Sequence, residues 1–187
     1  MPRHRRRPDP RALCLTATEL SEWTGLGDRT SFVTGDATAL PFADDAFDAA
    51  MTIHVSMNIA DKAGMLREAR RVLRPGGRFV VYDVLQGPDG EIHFPVPWAR
   101  DPSTSHLVTP DEMRALLGDA GFSVVEETDS SAASRDWFSA MAARIAASGP
   151  PPVTFAAFLG NDFAEMARNQ VANLAEERIR TVTFVCT

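Results

Sequence analysis

The spacing of apolar and polar positions changes period several times along the chain, and each change marks an element. From Arg11 the apolar residues Leu13, Ala17 and Leu20 recur at intervals of three and four, with Glu19 and Glu22 between them. This predicts a helix, closed by Gly25 and Gly27. β-Branched and aromatic residues then gather over residues 30–34 and again over 47–54, predicting two strands. The second is apolar nearly throughout (Ala49, Ala50, Met51, Ile53), as expected of a central strand covered on both faces of a parallel sheet. Helical period returns over residues 62–74, where Met65, Leu66, Ala69, Val72 and Leu73 share a side, and Pro75-Gly76-Gly77 stops it. The run from Phe79 to Leu85 is a third strand. A helical crossover therefore joins two parallel strands.

Residues 86–108 have neither period and hold His93, Phe94, Trp98 and His106 among several prolines and glycines. A loop of this length is either a substrate lid or packing over the sheet end. Thr109-Pro110-Asp111-Glu112 has capping-box spacing, and Met113, Leu116, Leu117 and Ala120 give the helix after it a buried face up to Gly121. A strand over 122–128, a helix over 131–147, a break at 149–152, a helix from about 162 to 177 and a last strand over 178–185 complete an α/β pattern. There is no internal repeat and no second domain.

Composition narrows the class. At 187 residues, 44% hydrophobic and 24% charged, the chain suits one globular domain, and no run approaches the roughly 18 apolar residues of a membrane span. Two cysteines without a pattern, and no apolar segment behind the basic N-terminus, predict a reducing, cytoplasmic setting. The net charge of −6 is uneven: residues 1–11 carry five arginines against one aspartate, leaving −10 on the rest. An acidic body argues against nucleic acid as a partner. Residues 1–10 read as a disordered or out-of-frame segment. His93 and His106 lack metal-ligand spacing, so no metal is expected, and the adjacent Asp44 and Asp45 read as turn residues.

The candidate chemistry lies in the turn Gly35-Asp36-Ala37-Thr38-Ala39-Leu40-Pro41-Phe42. In open α/β sheets ligands bind beyond the carboxyl ends of strands, which puts Asp36 and Ala37 where a cofactor is read; the alternative is a surface loop with an exposed aspartate. The succession Gly35-Asp36-Ala37-x-x-Leu40-Pro41-Phe42-x-Asp44-x-x-Phe47-Asp48, then Leu66-Arg67-Glu68-x-x-Arg71-Val72-Leu73-Arg74-Pro75-Gly76-Gly77-Arg78, resembles the class I S-adenosylmethionine-dependent methyltransferases acting on small molecules, of the methyltransferase type 11 kind. The resemblance spans most of residues 12–128.

That resemblance implies a Rossmann-like fold with a mostly parallel sheet and an antiparallel last strand beside the third. It implies S-adenosylmethionine as cofactor, its adenine read by Asp36 and Ala37 and its methionine end beside Thr52 and Ile53. His54 and Asn58 would face a small-molecule acceptor, with Trp98 from the long loop also binding substrate. His54 is the candidate general base or orienting group; the other reading is a histidine capping a strand end.

The family's first β-α-β unit, with its glycine-rich loop, has no counterpart, because Gly25-Leu26-Gly27 is a helix stop. Residues 11–187 are thus expected to form an incomplete methyltransferase domain, and Asp9, between prolines, is not assigned to ribose binding. Without that unit the strand over 47–54 has an unpaired edge, open to homo- or heterodimer formation, and cofactor binding by the chain alone is expected to be weak. Methyl transfer to a small molecule is the leading function. The alternative is a noncatalytic, truncated homologue that partners a complete enzyme. A nicotinamide oxidoreductase lacks its glycine fingerprint.

Overall fold

The computed structural model describes residues 9–187. The expectation for the arginine-rich N-terminal segment falls mainly on residues 1–8, outside the described residues. The elements, in chain order, are α1 (Pro10–Trp23), β1 (Phe47–Ile53), α2 (Lys62–Val72), β2 (Leu73–Gln86), α3 (Pro110–Asp119), β3 (Val124–Asp129), α4 (Ser131–Ser148), α5 (Ala156–Leu159), α6 (Phe163–Ala175) and β4 (Ile179–Cys186). They form one four-stranded mixed sheet in the order β1-β2-β4-β3. β1 and β2 run parallel, joined through α2, and β4 enters antiparallel between β2 and β3. The fold is α/β and Rossmann-like, with the antiparallel last strand beside β2 as the resemblance implied.

Local rules explain most boundaries. Asp9 caps α1, accepting the Arg11 amide at 3.0 Å, so the acid that the sequence left unassigned has a helix-capping role. Asp61 caps α2 through the Gly64 amide at 2.8 Å. The capping box of α3 is complete, Thr109 accepting from the Glu112 amide while the Glu112 carboxylate accepts from the Thr109 amide. α2 ends earlier than its apolar period predicts: Leu73 is already extended and pairs with Phe47. Pro75-Gly76-Gly77 therefore lies inside β2. Gly76 takes φ +76°, and a side chain on Gly77 would meet the Arg74 carbonyl at 2.9 Å and that of Asp48 at 3.1 Å. α5 and a short 3-10 turn at Gly160–Asp162 precede α6 and have no counterpart in the periodicity.

Two expectations fail. Residues 30–34 form no strand, and Phe32 and Val33 stay exposed. A strand needs a neighbour for its N–H and C=O groups, and among the described residues none lies beside it. β1 is not central and not covered on both faces; it is the edge of the sheet, with Met51 70% and Ile53 52% exposed.

The core explains which face is covered. Phe79, Val81 and Leu85 of β2 and Val182, Phe184 and Cys186 of β4 join Met65, Leu66, Ala69, Met113 and Leu117 of α2 and α3, and Ala50 of β1 packs against this cluster. On the opposite face α4 and α6 reach only the carboxyl end, where Val84, Leu174 and Ile179 pack with Met57. Met51 and Ile53, in register with Val80 and Tyr82, share that second face and are not covered.

Candidate functional site

Asp36 builds its own turn. Its Oδ1 accepts the Thr38 amide at 2.8 Å and the Thr38 hydroxyl at 2.7 Å, and these bonds, the amide first, hold the carboxyl below the usual carboxylate range. Both bonds fall on Oδ1, so Oδ2 of an exposed, ionised carboxylate is available to an incoming donor. Ala37 is half-buried against the main core, which fixes the height of the turn above the sheet.

The segment after this turn is clamped by α2. Glu68 accepts from the Leu40 amide at 2.7 Å and from Arg71 at 2.7 and 2.8 Å. Arg71 in turn donates to the carbonyls of Phe42 (2.8 Å) and Leu40 (3.1 Å) and to Asp44 (2.7 Å). The Arg71 guanidinium, then the Leu40 amide, push the Glu68 carboxyl down to about 2, while Glu68 and Asp44 push Arg71 up. One ion pair on a helix therefore holds residues 40–44 by both backbone and side chain. Asp44 takes part as a turn anchor, consistent with its sequence reading.

At the carboxyl end of β1, Thr52 and Ile53 lead into His54, whose backbone takes φ +53° while its amide still donates to the Tyr82 carbonyl at 2.9 Å. A left-handed histidine is uncommon and costs on the order of 1 kcal/mol or more. The turn places the half-exposed imidazole over the Tyr82 ring (4.7 Å between centroids) with Nδ1 3.9 Å from Oδ1 of Asp83. Asp83 is fully buried and accepts from the amides of Val84 at 2.9 Å and Met57 at 3.3 Å. Beneath lies Lys62, also buried, donating to the carbonyls of Ser56 (2.8 Å), Ile59 (2.9 Å) and His106. Burial pushes its pKa down, and the charge of Asp83 partly restores it. The hydroxyls of Thr52 and Ser56 are buried here without a hydrogen-bond partner.

The long loop packs over the sheet end. Trp98 lies against the second core cluster with Nε1 donating to Ser105 Oγ at 3.0 Å. Asn58 spans the loop, donating to the carbonyls of Trp98 (2.9 Å) and Thr104 (2.8 Å). Asn173 of α6 pairs with both backbone groups of His93 (2.8 and 3.0 Å), and Asn169 donates to the Pro95 carbonyl. Of the two open readings, packing describes this loop.

The structure thus groups Thr52, Ile53, His54, Asn58 and Trp98 around the carboxyl end of β1, and Asp36 and Ala37 form their own turn. A cleft of about 500 Å³ lies between the start of α2 and residues 105–108, and none of the predicted site residues lines it. No group of three or more potential metal ligands occurs among the described residues, and none of the described helices is long and apolar enough to cross a membrane. Sequence reasoning missed Asp83, Lys62 and the Glu68–Arg71 clamp. Asp83 had left a signal, as an acid inside the apolar run Val80-Val81-Tyr82-Asp83-Val84-Leu85.

Residues 10–81 match the methyltransferase domain family. Over that stretch the chain is similar to the class I S-adenosylmethionine-dependent methyltransferases. It is 37% identical over 117 residues to the methyltransferase GfsG of Streptomyces halstedii, an alignment covering 59% of this chain and 41% of that protein. Among solved structures it is similar to the [4+2]-cyclase SpnF, at 25% identity and a TM-score of 0.68, over 94% of this chain and 62% of that one. A geranyl diphosphate C-methyltransferase from Streptomyces coelicolor, solved with Mg2+, geranyl diphosphate and S-adenosyl-L-homocysteine, shares the fold at 14% identity and a TM-score of 0.72, over 94% of this chain and 58% of that one. The chain spans 41% of the length of GfsG and less than two thirds of each of these two structures.

Proposed function

We propose that this chain contributes to methyl transfer from S-adenosylmethionine to a small-molecule acceptor, with His54 as the group that takes or orients the acceptor's proton. The observation that carries this is His54 itself: a left-handed residue at the carboxyl end of a parallel strand, its ring aimed back within 3.9 Å of a buried aspartate. Backbone strain held in place by surrounding structure marks functional positions. The bound cofactor supplies an electrophilic methyl on a sulfonium, so the protein's share is alignment, exclusion of water and proton handling.

The described residues fit one end of that cofactor. Asp36, ionised and with a free Oδ2, suits an exocyclic amine donor, and the Ala37 amide beside it suits a ring nitrogen. Thr52 and Ile53 would flank the sulfonium. The unpartnered Thr52 hydroxyl offers a donor there. No described residue is assigned to the ribose or the methionine carboxylate. Asn58 shapes the acceptor side through the loop it holds, and Trp98 does so by packing. Asp83 is added as the residue that orients His54.

GfsG and the geranyl diphosphate enzyme support methyl transfer, whereas SpnF shows that the same fold is used by a cyclase. A second reading, a noncatalytic homologue that associates through β1, draws on the open edge of that strand. The test is titration of S-adenosylhomocysteine followed by amide shifts. Movement at Asp36 and Ala37, lost in Asp36→Ala, is the expected result, and their silence at saturating ligand overturns the cofactor assignment. Once an acceptor is found, His54→Ala should lower turnover about 10²–10⁴-fold with cofactor affinity unchanged.

A further inference from the structure

We infer that Lys62 is a positioning residue for His54: its buried ammonium acts through Asp83, whose charge it balances, and so frees the imidazole to take a proton. This rests on the reading of His54 as the proton-handling group and adds the reason that a histidine beside a carboxylate can serve as one.

Local rules give no reason for this lysine. Lys62 is the first residue of α2, where the helix dipole favours an acid, and it is only 4% exposed. A buried ammonium at the positive end of a helix is costly on both counts. What holds it lies outside the helix. Nζ donates to the carbonyls of Ser56 (2.8 Å), Ile59 (2.9 Å) and His106, which come from the turn after β1 and from the end of the long loop. Three donors meeting three acceptors is the stoichiometry of an ammonium, since a neutral amine has one hydrogen fewer. The carbonyls carry no net charge. The compensating charge is Asp83, which acts on Lys62 against the effect of burial.

Asp83 thus stands between two basic groups. Its carboxylate is fully buried and accepts from two neutral amides, Val84 at 2.9 Å and Met57 at 3.3 Å. On one side is Lys62; on the other, 3.9 Å from Oδ1, is Nδ1 of His54, too far for a hydrogen bond. Were residue 62 apolar, the imidazole would be left to balance the carboxylate, and an imidazolium has no lone pair with which to accept a proton. With Lys62 in place, Asp83 orients the ring without charging it. The neighbouring titratable side chains do not replace this balance. Tyr82 lies under the imidazole, the Asp61 carboxylate is tied to the Gly64 amide at 2.8 Å, and His106 contributes its backbone carbonyl.

The test is the rate at which diethyl pyrocarbonate, which acylates neutral imidazole, modifies His54 in the 187-residue chain at about pH 6.5. Peptide mass spectrometry reads the rate, with His93, the partner of Glu176, as the internal reference. Charge and structure predict opposite signs. The ring is already half-exposed, so loosening of its turn in Lys62→Met would raise the rate, whereas loss of the balancing charge should lower it by roughly threefold or more. Lys62→Arg, which keeps the charge, should retain the wild-type rate, and the slowing should vanish when Asp83→Asn is combined with Lys62→Met. An unchanged or faster rate in folded Lys62→Met overturns the inference. Where the variants do not fold, the wild type decides: the Lys62 Nζ resonance should couple to three protons at neutral pH, and a neutral amine there overturns the inference. No cofactor or acceptor enters these measurements, so their failure is distinct from failure of the base reading, which turnover in His54→Ala judges.

Discussion

The sheet has two edges, and they are built differently. β3 presents Glu126, Glu127 and Asp129 to solvent, tied by ion pairs from Arg114 (2.8 Å to Glu127) and Arg180 (3.3 Å to Asp129), and its exposed Val125 sits in a register irregularity. Charge and irregularity on an edge prevent pairing with other strands. β1 has one charged residue, Asp48, paired with Arg74, and is otherwise Phe47, Ala49, Ala50, Met51, Thr52 and Ile53. It is uncharged along its outer half and regular in register from Ala49 to Ile53. The composition of β3 is that of a border; the composition of β1 is that of an interior strand standing at a border. The site residues gather on the interior type.

The largest expected effect tests whether both edges depend on one core. Phe184 of β4 is fully buried between them, and Phe184→Ala should lower stability by about 3–5 kcal/mol in urea unfolding, with amides in β1 and β3 losing protection together. Unequal loss would mean that the edges belong to separate cooperative units.

A smaller effect should be confined to the β1 side. Lys62→Met leaves the carbonyls of Ser56, Ile59 and His106 without their buried donor, a cost of about 1–3 kcal/mol, and should loosen the turn after His54 while exchange in β3 keeps its rank order. Acid separates the two sides further. The Glu68 carboxyl is held below its unfolded value, so its contribution is present above pH 4.5 and is lost as pH falls toward about 2. Over that window the Leu40 amide should lose protection in the wild type, whereas Glu68→Gln should show it already loosened at neutral pH. The smallest effect on stability is expected at β3: Glu127→Val should change unfolding free energy by no more than about 0.5 kcal/mol yet produce concentration-dependent association in sedimentation. A monomeric Glu127→Val variant would break the account of β3 as a protected edge.

Legibility followed the range of the interactions involved. α2 and α3 were readable because their caps and apolar period lie within a few residues, as Asp61 with Gly64 and Thr109 with Glu112 show. The end of α2 was misplaced because Leu73 continues the helical period but is captured by Phe47 of another strand. Residues 30–34 have strand composition and no strand, since composition supplies propensity while a neighbour supplies hydrogen bonds. At the site, the Asp36 turn was legible from its motif. Asp83 and Lys62 were not, because their importance comes from burial beside His54 and under the loop at His106, 29 and 44 residues from those partners in sequence.

By itself the sequence determined the α/β alternation, the helix caps, the antiparallel last strand implied by its resemblance, and the turn at Asp36. These are set by short-range periodicity and by residue types whose backbone preferences act locally. Only the tertiary structure decided that residues 30–34 form no strand, that α2 reaches across to clamp residues 40–44, and that the half-exposed His54 ring rests beside a buried carboxylate. Each of these depends on which distant segments share a surface, and on what covers them.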